Sequence, residues 1–355
     1  MSLKRRQFLF LGGGFGGVLL ATLAHQTLTN GNPSPSPVTS VERVAPGRGD
    51  VRIVVISDLN SQYGSTEYEA EVKRAIALIP NWQPDLVLSG GDMIAGQKRS
   101  LSKAQLEAMW EAFDLQIATP LRDAKIPFAF TIGNHDGSGA LSPSGNYSFS
   151  LDRELAFNYW NDPQHSSFIP FIDRANFPFY YTFLHNDIFY LVWDASTAKI
   201  TDEQLTWVQK SLASSTAQGA KLRIAIGHLP LYAVAVGRDK PGEVLQSPDE
   251  LRSLLEKYSV HTYISGHHHA YYPGHRGNLE LLHSGALGGG PRQLLNSDLP
   301  PQKTLTIVDI DLNANSTDYT TYDMKTMQVI NQQSLPTKIV SHNGWVLRRD
   351  IAINS

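Results

Sequence analysis

Past Val51, hydrophobic and polar positions fall into a regular alternation. Seven short runs, "VRIVVIS", "PDLVLSG", "PFAFTIG", "IFYLVWDAS", "LRIAIGH", "HTYISGH" and "LELLHSGA", are dense in Val, Ile, Leu, Phe and Tyr and end near Gly, Asp or Ser. Continuous apolar runs of this kind read as strands buried on both faces. Between them apolar residues recur at helical spacing: Val72, Ala75, Ile76 and Ile79, then Leu106, Met109, Trp110 and Phe113. Thr201 with Gln204 predicts a capping box ahead of Leu205, Val208 and Leu212. Ser247-Pro248-Asp249-Glu250 predicts a second, ahead of Leu251, Leu254, Leu255 and Tyr258. Strand alternating with helix makes this an α/β protein. After Thr304 helices stop, and "LTIVDIDL", "DYTTYDM" and "TMQVINQQSL" predict successive strands in hairpins at a sheet edge.

The first 24 residues have another character. Lys4, Arg5 and Arg6 precede an apolar, Gly-rich stretch ending in small residues, the make-up of an export signal; Arg5-Arg6 before Phe8 and Leu9 resembles the twin-arginine type. The apolar stretch is a poor permanent membrane span, but an uncleaved signal would tether the protein to a membrane. Residues 25–48 alternate Pro and Ser and read as a linker, residues 49–335 as the main folded domain, and residues 336–355 as a C-terminal extension. The expected location is therefore outside the cytoplasm, in the periplasm or cell envelope. The chain has no cysteine, which rules out disulfides, thiolate metal sites and thiol nucleophiles. A net charge of −3 gives no reason to expect a nucleic-acid partner.

Sites in α/β sheets form beyond the carboxyl ends of strands. The first run is followed by Asp58 and Asn60, the second by Gly91-Asp92, and the third by Gly133-Asn134-His135-Asp136. The fifth is followed by Gly227-His228 and the sixth by Gly266-His267-His268-His269. In extended backbone, positions i and i+2 project to one side, so His267 and His269 reach one cluster while His268 points away. Singly, each element is weak, because a Gly-Asp after a strand is usually only a turn and a lone His is more often a satisfied polar group than a ligand. Together they read as a metal site, and carboxylate, amide oxygen and imidazole without thiolate suit zinc, manganese or iron. Two carboxylates and several imidazoles exceed one tetrahedral ion with an open position, so two ions sharing a bridging carboxylate fit better.

The order D-x-N, G-D, G-N-H-D, G-H, G-H-x-H resembles the calcineurin-like metallophosphoesterases, whose pattern is D-x-H, G-D, G-N-H-[DE], H, G-H-x-H. The resemblance spans about residues 50 to 290 and departs from the pattern only at Asn60. It implies a four-layer α/β/β/α sandwich of two mixed sheets flanked by helices. It implies two divalent or trivalent ions (manganese, iron or zinc): Asp58, Asn60, Asp92 and His269 around the first, with Asp92 bridging, and Asn134, His228 and His267 completing the second. It also implies hydrolysis of a small phosphate ester, mono- or diester, by a hydroxide bridging the two ions. His135 would act beside the substrate phosphate and Asp136 would orient it. A purple-acid-type phosphatase would need a Tyr three residues after Asp92, where this chain has Ala95. The alternative is an impaired site with one tight metal, acting as a phosphate- or partner-binding protein; Asn60, a weaker donor than imidazole, is what favours it.

Three features carry less definite expectations. His283, near the seventh strand's end, reads as a hydrogen-bonded strand residue. The loop Ser284–Gln293 borders the site if the resemblance holds, with Arg292 either meeting an anion or solvated. Between Tyr147 and Phe183 lie 12 of the chain's 34 aromatics, so this stretch must bury rings, and we expect a loop packed beside the sheet rather than a pocket wall.

Overall fold

The computed structural model describes residues 47–352. The expected signal and most of the expected linker lie outside the described residues.

Among the described residues, fifteen strands form two sheets. In chain order they are β1 (Val51–Ile56), β2 (Leu86–Ser89), β3 (Phe128–Phe130), β4 (Phe171–Asn176), β5 (Tyr180–His185), β6 (Ile188–Val192), β7 (Leu222–Ile226) and β8 (Thr262–Ser265). There follow β9 (Tyr272–Arg276), β10 (Leu279–His283), β11 (Thr304–Asp311), β12 (Ser316–Asp323), β13 (Gln328–Val329), β14 (Lys338–Ser341) and β15 (Gly344–Arg348). The first sheet runs β13-β12-β11-β1-β2-β3 and the second β14-β15-β9-β10-β8-β7-β6-β5-β4. All seven expected runs contain strands.

Strands β1, β2 and β3 are parallel, as are β6, β7, β8 and β10. Parallel neighbours need crossovers, and the predicted helices supply them: Ala70–Leu78 and Lys103–Phe113 in one sheet, Asp202–Leu212 and Pro248–Lys257 in the other. Every residue of β1 is buried, including Arg52, whose guanidinium forks onto Asp309 of β11 at 2.8 and 2.9 Å. The two sheets face each other across groups such as the Tyr181 hydroxyl. It donates to the Phe130 carbonyl at 2.6 Å and accepts from the Phe130 N–H at 3.1 Å. This is the expected fold: two mixed sheets flanked by helices.

Local expectations diverge in four places. Thr201 accepts from the Gln204 N–H as predicted, but the Gln204 side chain turns to the backbone of Asp194, so only half the box forms. Ser247 makes no cap because its backbone is left-handed (φ 49°), which turns its hydroxyl away from the first turn. A full box forms instead at Ser102 with Gln105. The aromatic stretch is not a loop. It folds as the helix Ser150–Asn161 and the β4–β5 hairpin, with Trp160 stacked on Phe130 at 3.8 Å between centroids and Tyr159 on Trp110 at 4.7 Å. Its rings therefore pack beside the sheet, as expected. Within residues 336–355, expected as an extension, Lys338–Ser341 and Gly344–Arg348 form β14 and β15, and β15 pairs with β9 through Leu347 and Arg348, so these strands belong to the sheet. Among the described residues, no helix is long and apolar enough to cross a membrane.

Candidate metal centre

Each expected site residue follows the carboxyl end of its strand, and the loops are bound to one another. The N–H groups of Leu59 and Asn60 donate to the Asp92 carbonyl, and the His135 N–H to Asp92 Oδ1 at 2.8 Å. The His267 N–H donates to Asp58 Oδ1 at 3.1 Å. Such closeness explains two motif glycines. A Cβ on Gly133 would collide with the Asp92 carboxylate, and one on Gly266 with Ser57 Oγ. Asp58, Asp92, His267 and His269 all hold left-handed backbone, with φ between 51° and 63°. Non-glycine residues adopt it at a cost of about 1–3 kcal/mol each, and such strain concentrates at functional sites.

The side chains form one cluster. Ligand atoms of Asp58, Asp92 and His228 all lie within 4.8 Å of one another. Asn134 Oδ1 stands 2.9 Å from His228 Nε2 and 2.9 Å from His267 Nδ1, and His228 Nε2 is 3.3 Å from Asp92 Oδ2. On the other side His269 Nε2 lies 3.2 Å from Asp58 Oδ1. All of these residues are buried except His269, whose ring is 13% exposed.

The outward nitrogens of the three histidines test whether a metal fits. His228 Nδ1 faces the Gly90 carbonyl at 2.8 Å, His269 Nδ1 the Gly290 carbonyl at 2.9 Å, and His267 Nε2 the Glu243 carboxylate at 2.8 Å. Carbonyls and carboxylates only accept, so each outward nitrogen carries the proton. Each inward nitrogen then presents a lone pair to another acceptor: Asn134 Oδ1, Asp92 or Asp58. Lone pairs facing lone pairs are satisfied by a proton or a metal cation between them, and the donor set fits metal ions.

The charges agree. Burial opposes ionisation of Asp58 and Asp92, but His269 beside Asp58 and His228 beside Asp92 hold both below the usual carboxylate range. Burial would lower His228, yet Asp92 and Asp58 push it up to about 9, the pull of two carboxylates on positive charge at this point. His267 is pushed down to about 4, mainly by burial, and stays a neutral donor.

Asn60 is buried at the rim, its Nδ2 donating to the Ile94 carbonyl at 3.1 Å. Its amide oxygen accepts no hydrogen bond among the described residues. His135 is fixed by Nδ1 donating to the Gly96 carbonyl at 3.0 Å. Its Nε2 lies 3.9 Å from Asp92 Oδ2, and its ring is partly exposed. Asp136 does not orient His135. Its carboxylate accepts three backbone N–H groups, from Met93, Ile94 and Gly133 at 2.7–2.9 Å, and so ties the Asp92 loop to the Asn134 loop. Burial and the charge of Asp92 push Asp136 up to about 7.

His268 points away from the cluster, accepting from the Val234 N–H and facing the Glu243 carbonyl. His283 is a buried strand residue between the carbonyls of Tyr272 and Tyr232. The Gly-rich loop borders the site through the N–H groups of Gly288 and Gly289, which donate to the carbonyls of Asp58 and Asn60. Sequence reasoning missed Glu243 and Gln97. Gln97 Oε1 accepts from Asn134 Nδ2 at 2.6 Å, leaving the Asn134 oxygen turned inward. Both sit in polar loops without periodicity, and their only signal is placement after a ligand-bearing strand.

A family model described as calcineurin-like phosphoesterase matches residues 51–271. The chain belongs to that family. No curated protein matches it. Among solved structures, it is similar to a purple acid phosphatase from yellow lupin (Lupinus luteus) seeds. That match has 18% identity and a TM-score of 0.56, covering 81% of this chain and 54% of the phosphatase. This chain therefore spans about half the length of the lupin enzyme. It is also similar to GAP50, the anchor in the inner membrane complex of Plasmodium, at 14% identity and TM-score 0.50, covering 84% of this chain and 90% of that one. At such identities the likeness is one of fold.

Proposed function

We propose that this family member is an exported, dinuclear metal-dependent phosphoesterase acting on small phosphate mono- or diesters. One observation carries the reading: the inward nitrogens of His228, His267 and His269 and the Asn134 oxygen converge with the Asp58 and Asp92 carboxylates, a donor set that bound metal ions would satisfy. Asp58, His269 and Asn60 would hold the first ion, Asn134, His228 and His267 the second, with Asp92 shared. Bound ions would activate water and neutralise the phosphate oxygens.

The chain's own residues do the rest. The Gly96 carbonyl holds the His135 Nδ1 proton and leaves Nε2 on the side of the cluster, 3.9 Å from Asp92 Oδ2. A protonated Nε2 would deliver its proton to the departing alkoxide as the phosphorus–oxygen bond breaks. Asp136 keeps the Asp92 and Asn134 loops in register. Export rests on the basic and apolar make-up of residues 1–24.

A second reading, a site with one tight metal in a binding or anchoring protein, rests on the neutral amide of Asn60. GAP50 has this fold and is described as an anchor. The deciding experiment is turnover of p-nitrophenyl phosphate and bis-p-nitrophenyl phosphate by manganese-loaded protein, with the metal counted. Turnover at two ions per chain supports the enzyme. Bound metal without turnover on either ester leaves the second reading.

A further inference from the structure

Two arginines stand beside the centre without enough acceptors. The loop after His228 and the Gly-rich loop pair with each other: Ala235 and Leu294 form an antiparallel bridge, the Val236 N–H donates to the Gln293 carbonyl, and the Leu295 N–H to the Val234 carbonyl. This pairing sets Arg238 next to Arg292. A Cβ on Gly237 would lie 3.1 Å from Arg292 Nη1. The loops are also fastened to the ligands. The Arg292 N–H donates to the His269 carbonyl at 2.9 Å, and Arg238 Nη1 lies 3.4 Å from His267 Nε2.

A single carboxylate serves this pair. Glu243 Oε2 is engaged by both Arg238 and His267 Nε2, and Oε1 faces Lys240 at 3.8 Å. Arg292 has no ion pair among the described residues, and the Nε groups of both arginines are buried without an acceptor. Buried donors without partners are uncommon and call for an explanation.

We propose that Arg238 and Arg292 form an anion subsite at the rim of the metal centre, which takes a second phosphoryl group carried by the same substrate. Planar guanidinium forks suit phosphoryl oxygens, and both side chains are partly exposed, so a ligand reaches them from solvent. The inference rests on the phosphoesterase reading and deepens it: the preferred substrates carry two phosphoryl groups, one held over the metals and one on the arginines.

The test uses the full-length, metal-loaded protein and two non-hydrolysable probes, orthophosphate and methylenediphosphonate, with affinities measured by calorimetry. The expected result is that Arg292→Gln reduces the preference for methylenediphosphonate over orthophosphate by about tenfold or more, the effect of losing one charge-assisted hydrogen bond. Arg292→Lys, which keeps the charge but not the fork, should lose less. If Arg292→Gln fails to retain its metals, Arg292→Lys and Arg238→Gln give the same comparison. An unchanged ratio in the variants that keep metal overturns the subsite. Turnover of p-nitrophenyl phosphate is scored separately. Turnover without an arginine-dependent preference sinks the subsite alone, and the preference without turnover keeps the subsite and sinks the enzyme.

Discussion

His267 Nε2 donates to Glu243 Oε2 at 2.8 Å, so the ring's other nitrogen faces Asn134 as a fixed lone pair. Burial would raise Glu243, but His267 and Arg238 hold it down to about 2, so the acceptor is a carboxylate at any ordinary pH. Replacing it by Gln removes the charge and leaves the amide free to flip. Partners that orient a metal-binding histidine are worth about 10- to 100-fold in metal affinity. Glu243→Gln should weaken one of two manganese sites by that amount, seen as biphasic loss during dialysis. Equal retention of both ions would count against the role.

His135 touches the cluster only at its edge, 3.9 Å from Asp92, so its removal should spare the metals. His135→Ala should lower kcat by about two to four powers of ten, the worth of a general acid. The metal content should match wild type. The deficit should shrink for p-nitrophenol, a leaving group that departs without a proton, relative to an alkyl alcohol. A uniform loss across leaving groups would argue against proton delivery.

At Asn60 the chain departs from its family's pattern, and the amide is already committed through Nδ2 to Ile94. Asn60→His offers a stronger donor and should tighten the first ion by about one to two powers of ten, the span over which changes around a metal act. Metal analysis after dialysis reads this directly. An unchanged ratio would mean that position 60 is no ligand.

His283 gives a pH prediction independent of the metals. Two carbonyls flank its ring, but burial dominates and pushes it down to about 4. In the unfolded chain it titrates near 6.5, so between those values the unfolded state binds more protons. Its contribution is complete above about pH 6.5 and is lost as pH falls toward 4, at most about 3 kcal/mol for such a shift. His261 and His268 move in the same direction. Urea unfolding of His283→Gln should therefore show a shallower, not a flat, loss of stability over that range. A slope equal to wild type would contradict the assignment.

Trp160 stacks on Phe130 and packs edge-on against Trp110, Phe113 and Tyr159. Trp160→Ala should cost about 3–5 kcal/mol, measured by the urea midpoint. A loss under 1 kcal/mol would mean that the neighbouring helix collapses into the space.

The strand-end motifs were readable because buried parallel strands are continuous apolar runs, and the first polar residue after each must lie at the sheet's carboxyl edge. That places Asp58, Asp92, Asn134, His228, His267 and His269 together without coordinates. What failed depended on tertiary choice. Ser247 matches a cap by composition, but a left-handed backbone takes it out of use. The helix 150–161 has no side-chain cap, and polar residues interrupt its aromatic stripe, so it read as a loop. Asp136 follows His135 in sequence, yet its carboxylate folds back to Met93 and Ile94, which no local pattern announces. Glu243 is 24 residues from its histidine, and nothing local connects them.

The cluster draws Asp58, Asp92 and Asn134 from one sheet and His228, His267 and His269 from the other. An ion held there would be a rivet between two plates. In a chain without cysteine, it would add a link across a seam otherwise held by packing and hydrogen bonds. Stripping it would loosen both half-sites at once. Chelation and shear would then be one event, and the temperature at which the halves part would serve as a gauge of occupancy.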